Sequence, residues 1–190
     1  MVTSWRASQF GEAFYLQNQV LPLANTFFEN DSMMKLHFWS IGKNNEAYIK
    51  EGVEEFTKRI SKYFAVEWNI IPLPKNSAMM SEMDLKKKEG ETILSWLNKD
   101  DYMVALDEHG RQMGSIQLSE FIQARANEGA KRIVFVIGGA FGLDEAVLKK
   151  ANLKWSLSQL TFPHQLVRLI LAEQVYRACT ILKNEKYHHK

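Results

Sequence analysis

The chain has 190 residues, of which 46% are hydrophobic and 24% charged, values that are ordinary for a globular domain. Its formal net charge of +2 permits a polyanionic partner but does not require one. The single Cys179 excludes an internal disulfide and a Cys-rich metal site, and its place in an apolar helical pattern predicts a buried core residue. The sequence shows neither a secretory pattern nor an apolar run of about 20 residues, so we expect a cytoplasmic protein with no membrane span and no metal.

The first 33 residues differ in composition from the rest of the chain. They are poor in lysine and mix aromatic residues with Gln, Asn and Ser, and their one helix-like stretch is interrupted at Pro22. A regular pattern begins at Met34. We therefore predict an N-terminal appendage over residues 1–33 and the functional domain over residues 34–190. The alternative is that the first segment is a native extra helix packed on the domain.

From Met34 onward, strand-like and helix-like patterns alternate. A first strand is predicted over Lys35–Ile41, followed by an amphipathic helix over Asn45–Phe64 whose apolar residues recur three and four positions apart. The segment VEWNIIPL predicts a second strand that stops at two prolines. The next helix begins after Ser81, a residue type that caps helix N-termini.

The second half of the chain continues the alternation. Tyr102–Asp107 predicts a short third strand with the sequence EHGR as its turn, and the following helix ends at Gly129, where a glycine cap belongs. RIVFVI predicts a fourth strand buried on both faces, because its apolar residues do not alternate with polar ones. A short helix over Leu143–Ala151, the strand and loop KWSLSQLTF, and a long helix starting at Pro163 follow. This order predicts an α/β fold, a mostly parallel sheet sandwiched by helices.

The glycine-rich loop in VFVIGGAFGLDE, residues 134–145, follows the fourth strand, and ligands bind at the carboxyl ends of strands in such sheets. Its glycine spacing does not fit the dinucleotide fingerprint, and it lacks the Gly-Lys-Ser/Thr of a P-loop. Asp144 and Glu145 suit the start of the following helix but would repel a phosphate. The loop therefore favours a ligand with a neutral or cationic group. The alternative is a tight strand-to-helix turn that binds nothing.

Longer motifs carry a resemblance to a known family. The segments FVIGGAFGLDE and WSLSQLTFPHQLVRLILAEQVYRACTILKNEKYHH, together with the opening MKLHFWSIGK and the strand ALDEHG, resemble the ribosomal large subunit methyltransferase H family. Members of this family are small SPOUT-class enzymes. The resemblance covers residues 34–190 at family-typical spacing, and residues 1–33 fall outside it because family members usually begin where Met34 stands.

The resemblance implies S-adenosylmethionine-dependent methylation of N3 of a pseudouridine in large-subunit ribosomal RNA, on the assembled ribosome. It also implies a homodimer and a trefoil knot, in which the C-terminal segment threads through a loop, whereas chains in general avoid knots and the periodicity alone predicts an unknotted sheet. The cofactor would lie in the knot. The positions that match the cofactor-binding residues of the family are Leu106, Gly138, Leu157, Ser158, Gln159, Leu160, Thr161 and Phe162.

Candidate residues for the chemistry lie near the C-terminus. His164 begins the last helix, where the helix dipole disfavours a charged imidazole, so this residue could either organise the site by hydrogen bonding or be structural. Tyr187 and His188 lie in the tail and could stack on a base and accept a proton, unless the tail is only a solvated basic end. Arg168 and His189 are candidate RNA contacts, and Arg168 could alternatively face a partner subunit.

The last helix is apolar over most of its surface, so it needs cover on more than one side, and a dimer interface is the natural cover. Each site would then be completed by the surface of the partner. Two other functions stay open, namely a SPOUT methyltransferase with a different RNA target and a non-catalytic ribosome-binding factor. A Rossmann-type oxidoreductase is disfavoured by the glycine spacing.

Overall fold

The computed structural model describes residues 34–43 and 46–187, which form one five-stranded parallel sheet in the order β2-β1-β4-β3-β5. The strands are β1 (Lys35–Ile41), β2 (Ala65–Ile71), β3 (Asp101–Gln112), β4 (Arg132–Ile137) and β5 (Leu153–Ser156). The α-helices are α1 (Ala47–Ile60), α2 (Glu82–Trp96), α3 (Ser115–Asn127), α4 (Glu145–Lys150) and α5 (His164–Leu182), with a 3-10 turn at Ser77–Met79. The predictions for residues 1–33, His188 and His189 lie outside the described residues.

Helices cover both faces of the sheet, which confirms the predicted α/β sandwich. On one face the strands pack against α1, α3 and α5, and on the other they pack against α2 and α4. Strand β1 shows how one sequence serves both layers: Leu36 and Phe38 point to the first face, whereas Trp39 and Ile41 point to the second. The sheet is therefore buried on both sides, as is usual for parallel strands.

Several local predictions are confirmed at the ends of elements. The hydroxyl of Ser81 accepts a hydrogen bond from the backbone N–H of Asp84 at 3.1 Å and so caps α2. Gly129 follows α3 with a φ of +75°, a conformation that favours glycine. Cys179 is buried on α5, and burial raises the pKa of its thiol to about 12, which makes it an inert core residue.

The predicted end of β3 is wrong, because the EHGR segment is part of the strand rather than a turn. β5 pairs with β3 in two stretches, and the register shifts between Leu106 and Arg111, which leaves residues 107–110 as a bulge. At Gly110 the two strands approach so closely that a β-carbon would lie 2.7 Å from the carbonyl carbon of Lys154. A close backbone approach and a turn both favour glycine, so the sequence alone does not distinguish them.

Helix α5 is largely covered by its own domain. It lies against both α1 and α3, and Leu171, Ala172 and Val175 are fully buried. The hydroxyl of Ser115 in α3 donates a hydrogen bond to the side chain of Gln174 at 3.0 Å. Much of the apolar surface that we expected a partner subunit to cover is therefore covered within one chain.

Candidate active site

A cleft of about 520 Å³ opens at the carboxyl edge of the sheet, beside the β3 bulge and the ends of β4 and β5. Its walls are the β3 bulge, the glycine loop (residues 138–142) after β4, the segment Leu157–Phe162 after β5, and the first turn of α5. The volume is within the range of sites that bind small molecules. Since the strands are parallel, their carboxyl ends lie at one edge, and three loops that are distant in sequence meet there.

The residues that match the cofactor-binding positions of the family converge on this cleft with one exception. Those that line it are Leu106, Gly138, Leu157, Ser158, Leu160, Thr161 and Phe162. Gln159 is exposed and is not one of the lining residues. The role of these eight positions in binding a cofactor stays a prediction.

Close backbone contacts shape the glycine loop. A β-carbon at Gly138 would lie 2.6 Å from the carbonyl carbon of Gly142, so a side chain does not fit. The N–H of Gly142 donates a hydrogen bond to the carbonyl of Gly139 at 3.2 Å, and Gly142 has a positive φ of +78°. Asp144 then caps α4 by accepting a hydrogen bond from the N–H of Ala146 at 2.8 Å. The glycines therefore build a compact loop that presents backbone groups to the cleft.

Internal hydrogen bonds hold the wall that follows β5. The hydroxyl of Ser156 donates to the carbonyl of Ser158 at 2.8 Å, and the hydroxyl of Ser158 accepts from the N–H of Leu160 at 3.0 Å. The hydroxyl of Thr161 donates to the carboxylate of Glu108 at 3.2 Å, which ties this wall to the β3 bulge. The segment is therefore organised by contacts of the chain itself.

His164 lines the cleft as the first residue of α5. Its ring lies at the end of β1, where a β-carbon built on Gly42 would be 3.2 Å from its Nε2. The pKa of His164 is lowered, mainly by burial and in addition by the neighbouring Arg168 cation. The imidazole is therefore neutral at pH 7 and can accept a hydrogen bond or a proton.

The structure corrects the prediction that Arg168 contacts RNA or a partner subunit. The residue is fully buried, and its guanidinium donates to the hydroxyl of Ser40 at 2.8 Å, the carbonyl of Lys43 at 2.9 Å and the carbonyl of Ile41 at 3.2 Å. Burial lowers the pKa of the guanidinium, while these acceptors offset its loss of hydration. Arg168 therefore anchors the start of α5, including His164, to the end of β1.

Tyr187 lies away from the cleft and is not free in the tail. Its hydroxyl donates to Glu173 at 3.1 Å, its ring centroid is 4.8 Å from that of Tyr176, and the guanidinium of Arg177 is 4.7 Å from its ring. Burial raises the pKa of Tyr187, and the neighbouring Glu173 carboxylate adds to the rise. Glu173 is about 14 Å along the helix axis from His164, given the rise of an α-helix. The structure therefore does not bring Tyr187 and His164 together within one chain.

An acid beside the glycine loop went unnoticed in the sequence. Glu89 of α2 is only 4% exposed, and burial raises the pKa of its carboxyl group. It lies four residues after Leu85 and four before Ile93, which are both buried. An acid in a row of apolar residues spaced by four positions marks a core position, so the pattern that identifies Glu89 is present in the sequence.

Side chains of both charge signs stand at the cleft. Lys86, Asp107, Glu108 and His109 all line it, so it lacks the uniformly basic character of a phosphate site. Within residues 34–43 and 46–187, no cluster of three His, Cys, Asp or Glu side chains is arranged to hold a metal ion. Over the same residues, no helix has the length and apolar character needed to cross a membrane.

Comparison with known proteins supports a family assignment. Residues 34–188 match the family described as "Predicted SPOUT methyltransferase". The "Ribosomal RNA large subunit methyltransferase H" of Cytophaga hutchinsonii is 47% identical over 156 residues, which are 82% of this chain and 100% of that protein. The proteins of the same name from Parabacteroides distasonis and Bacillus pumilus are 46% and 42% identical, over 83% and 82% of this chain and 100% and 99% of their own lengths.

The chain therefore belongs to the SPOUT methyltransferases. Within that class it belongs to the ribosomal RNA large subunit methyltransferase H family, which confirms the resemblance seen in its motifs.

Proposed function

We propose that this protein transfers the methyl group of S-adenosylmethionine to N3 of a pseudouridine in large-subunit ribosomal RNA, on the assembled ribosome in the cytoplasm. Relatives that are 42–47% identical over nearly their whole length are named as methyltransferases of this RNA. The observation that carries the proposal is the cleft between the glycine loop and Leu157–Phe162, where seven of the eight matched positions meet.

The walls of the cleft suit this methyl donor in charge and in shape. The donor carries a cationic sulfonium and no phosphate, and the cleft offers glycine backbone, apolar side chains and the acids Asp107 and Glu108. Gly138 permits close approach of the backbone, while Leu106 and Leu157 supply apolar surface for an adenine ring. When bound, the donor supplies a methyl group on a positively charged sulfur. The residues of the chain bind and orient it.

The path of the chain supports the trefoil knot that the family implies. β5 is the edge strand next to β3, and β4 separates β3 from β1 in the sheet. The helix that follows β5, α5, nevertheless begins at the end of β1, where Arg168 anchors it. The connecting residues 157–163 therefore cross the carboxyl edge of the sheet next to the glycine loop. We propose that this crossing is the threaded part of the knot, and that it holds the two walls of the cleft together.

The reaction needs alignment of N3 with the donor methyl and an acceptor for the N3 proton. Alignment supplies the larger part of the rate enhancement. His164 is neutral at pH 7 and lines the cleft, so among the described residues it is the best placed acceptor. His188, which lies outside the described residues, is the second candidate for the same role.

A second copy of the chain would complete the site. Tyr187 is packed on α5 away from the cleft of its own chain, so a homodimer would instead place the tail of one subunit, with Tyr187 and His188, at the cleft of the other. Phe141 and Leu160 line the cleft and are exposed, which offers apolar surface for that tail or for a stacked base. His189 in the same tail would then lie close to the RNA.

Deletion of the gene followed by mass spectrometry of the ribosomal RNA nucleosides tests the target. We expect one N3-methylated pseudouridine to disappear from the large-subunit RNA and to return when the gene is restored. Loss of a methyl group from another base or from a ribose would contradict the proposed target and assign a different one. Unchanged methylation, with no donor binding in calorimetry at millimolar concentration, would favour a non-catalytic ribosome-binding factor.

A further inference from the structure

Helix α2 contacts the glycine loop and the start of α4 through two adjacent residues, Glu89 and Gly90. A β-carbon at Gly90 would lie 2.7 Å from the Cβ of Asp144, so the absence of a side chain permits this close approach. A β-carbon at Gly139 would lie 2.8 Å and 2.9 Å from the two carboxyl oxygens of Glu89. The carboxyl group is therefore in direct contact with Gly139, which itself lines the cleft.

The buried carboxyl group of Glu89 is incompletely hydrogen-bonded. Its Oε1 is shielded from solvent and makes no hydrogen bond to the described residues. Burying an ionised carboxylate in this way is costly, and an amide or apolar side chain between Leu85 and Ile93 would avoid that cost. The stability of the fold therefore does not account for an acid at this position.

We propose that Glu89 distinguishes the cationic methyl donor from its neutral demethylated product by placing a carboxylate directly behind Gly139 in the wall of the cleft. The inference rests on the proposed function, because it requires the cleft to hold S-adenosylmethionine.

The charge of the ligand changes during the reaction. The bond between sulfur and the methyl carbon breaks, its electron pair stays on sulfur, the new bond to N3 forms, and the N3 proton goes to the acceptor. The sulfonium thereby becomes a neutral thioether. A nearby carboxylate attracts the cationic donor but has little electrostatic attraction for the neutral product. The attraction is stronger in a water-poor site than on the protein surface. Glu89 is thus a selectivity and positioning residue that acts across Gly139.

The charges that face Glu89 from neighbouring elements are few. Lys86, one turn earlier on α2, lines the cleft, and Asp144 at the start of α4 already accepts the capping hydrogen bond from Ala146. Burial is what raises the pKa of Glu89. A cation bound in the cleft would counter that effect and lower the pKa of Glu89, whereas the neutral product would not.

Calorimetry of the full chain with S-adenosylmethionine and with S-adenosylhomocysteine measures this selectivity. Glu89→Gln keeps the size of the side chain and removes its charge, and Glu91→Gln, at an exposed position of the same helix, is the matched control. We expect Glu89→Gln to weaken donor binding about tenfold, or about 1.4 kcal/mol, and to leave product binding within about twofold. Glu91→Gln should change neither affinity.

Two further measurements support or oppose the inference independently. Titrations in buffers of different ionisation enthalpy, repeated between pH 4 and pH 8, should show a pH range in which the wild type releases a proton on binding the donor and Glu89→Gln does not. Since the pKa of Glu89 is raised by folding above its ordinary 4.5, the unfolded chain ionises first as the pH rises, and the wild type loses stability above that pH. Glu89→Gln should therefore be the more stable protein at pH 7, but not at pH 4.

The outcomes separate the inference from the function on which it rests. Equal weakening of both ligands in Glu89→Gln, unchanged selectivity, or no proton release at any pH between 4 and 8 would overturn the role of Glu89 and leave the proposed function standing. A wild type that binds neither ligand would contradict the proposed function, and the inference would fall with it.

Discussion

Burial shifts the pKa values of three titratable side chains in or beside the walls of the cleft. It lowers the pKa of His164 and of Arg168, and it raises the pKa of Glu89. The position of His164 at a helix N-terminus correctly predicted that its charged form is disfavoured. The causes that the structure shows for the lowered pKa are burial and the Arg168 cation. The burial of Arg168 could not be predicted, because an isolated arginine is usually exposed and its acceptors at the end of β1 are distant in sequence.

The protonation of His164 predicts a pH dependence. The pKa of His164 lies below the ordinary 6.5, so its imidazole is neutral and can accept a proton between pH 8 and pH 6.5. At lower pH the imidazole becomes protonated and can no longer accept one. We expect the wild-type kcat to fall on the acid side of pH 6.5. His164→Gln should lower kcat by about 10²-fold and remove this acid limb. Methylation rates at saturating donor between pH 5 and pH 8 measure both effects, and an unchanged limb in the variant would exclude His164 as the acceptor.

Arg168 should matter for stability rather than for RNA affinity. Lysine in its place cannot reach the acceptors on Ser40, Ile41 and Lys43 together, so Arg168→Lys should lower the free energy of unfolding by about 2 kcal/mol. Denaturant titrations at low and high salt measure the change, which should be nearly independent of salt. A stable variant with weaker and less salt-dependent RNA binding would instead support a surface contact.

Among the secondary-structure elements, those with strong local patterns were predictable from the sequence. β1 and β4 have the predicted bounds, and both begin at a cationic residue, Lys35 or Arg132, and end directly before a glycine. The full length of β3 was not predictable, because its second half is held by pairing with β5, far along the chain. The candidate cofactor positions follow from motifs, and the parallel sheet explains why seven of the eight line one cleft.

The glycine loop gives a prediction about one element. Gly138→Ala would place a methyl group 2.6 Å from the backbone of Gly142, so the loop must move. We expect at least about tenfold weaker binding of S-adenosylmethionine with the fold retained, because the loss is confined to a loop that shapes the cleft. Gly114→Ala is the control, since a β-carbon there would meet only Gln117, at 4.0 Å. Calorimetry and thermal unfolding separate the two effects, and normal binding by Gly138→Ala would show that the loop does not form the donor site.

For the molecule as a whole, the proposed knot and the proposed dimer do not follow from local patterns. Periodicity identifies elements but not the order in which the chain passes through its own loops. The apolar surface of α5, which we expected a partner subunit to cover, is largely covered by α1 and α3. The stronger argument for a composite site is that Tyr187 is packed on α5, away from the cleft of its own chain.

Subunit complementation tests the composite site. At a donor concentration that does not saturate the weakened site, Gly138→Ala should bind little donor, and Tyr187→Ala should lack the tail contribution, so each homodimer should be nearly inactive. A mixed dimer contains one cleft with an intact loop and an intact tail from the partner. Mixing the two variants should therefore restore about a quarter of wild-type activity, as expected for random pairing in a two-fold dimer. No recovery after subunit exchange would mean that Tyr187 does not act across an interface.

The most direct test of the central claim is methyl transfer by the purified protein from labelled S-adenosylmethionine, with intact ribosomes compared with naked ribosomal RNA and the product mapped to single nucleotides. We predict one methyl group per ribosome, on N3 of a pseudouridine in the large-subunit RNA, and little incorporation into naked RNA. Incorporation at a ribose or at another base, or no incorporation into either substrate, would contradict the proposed function.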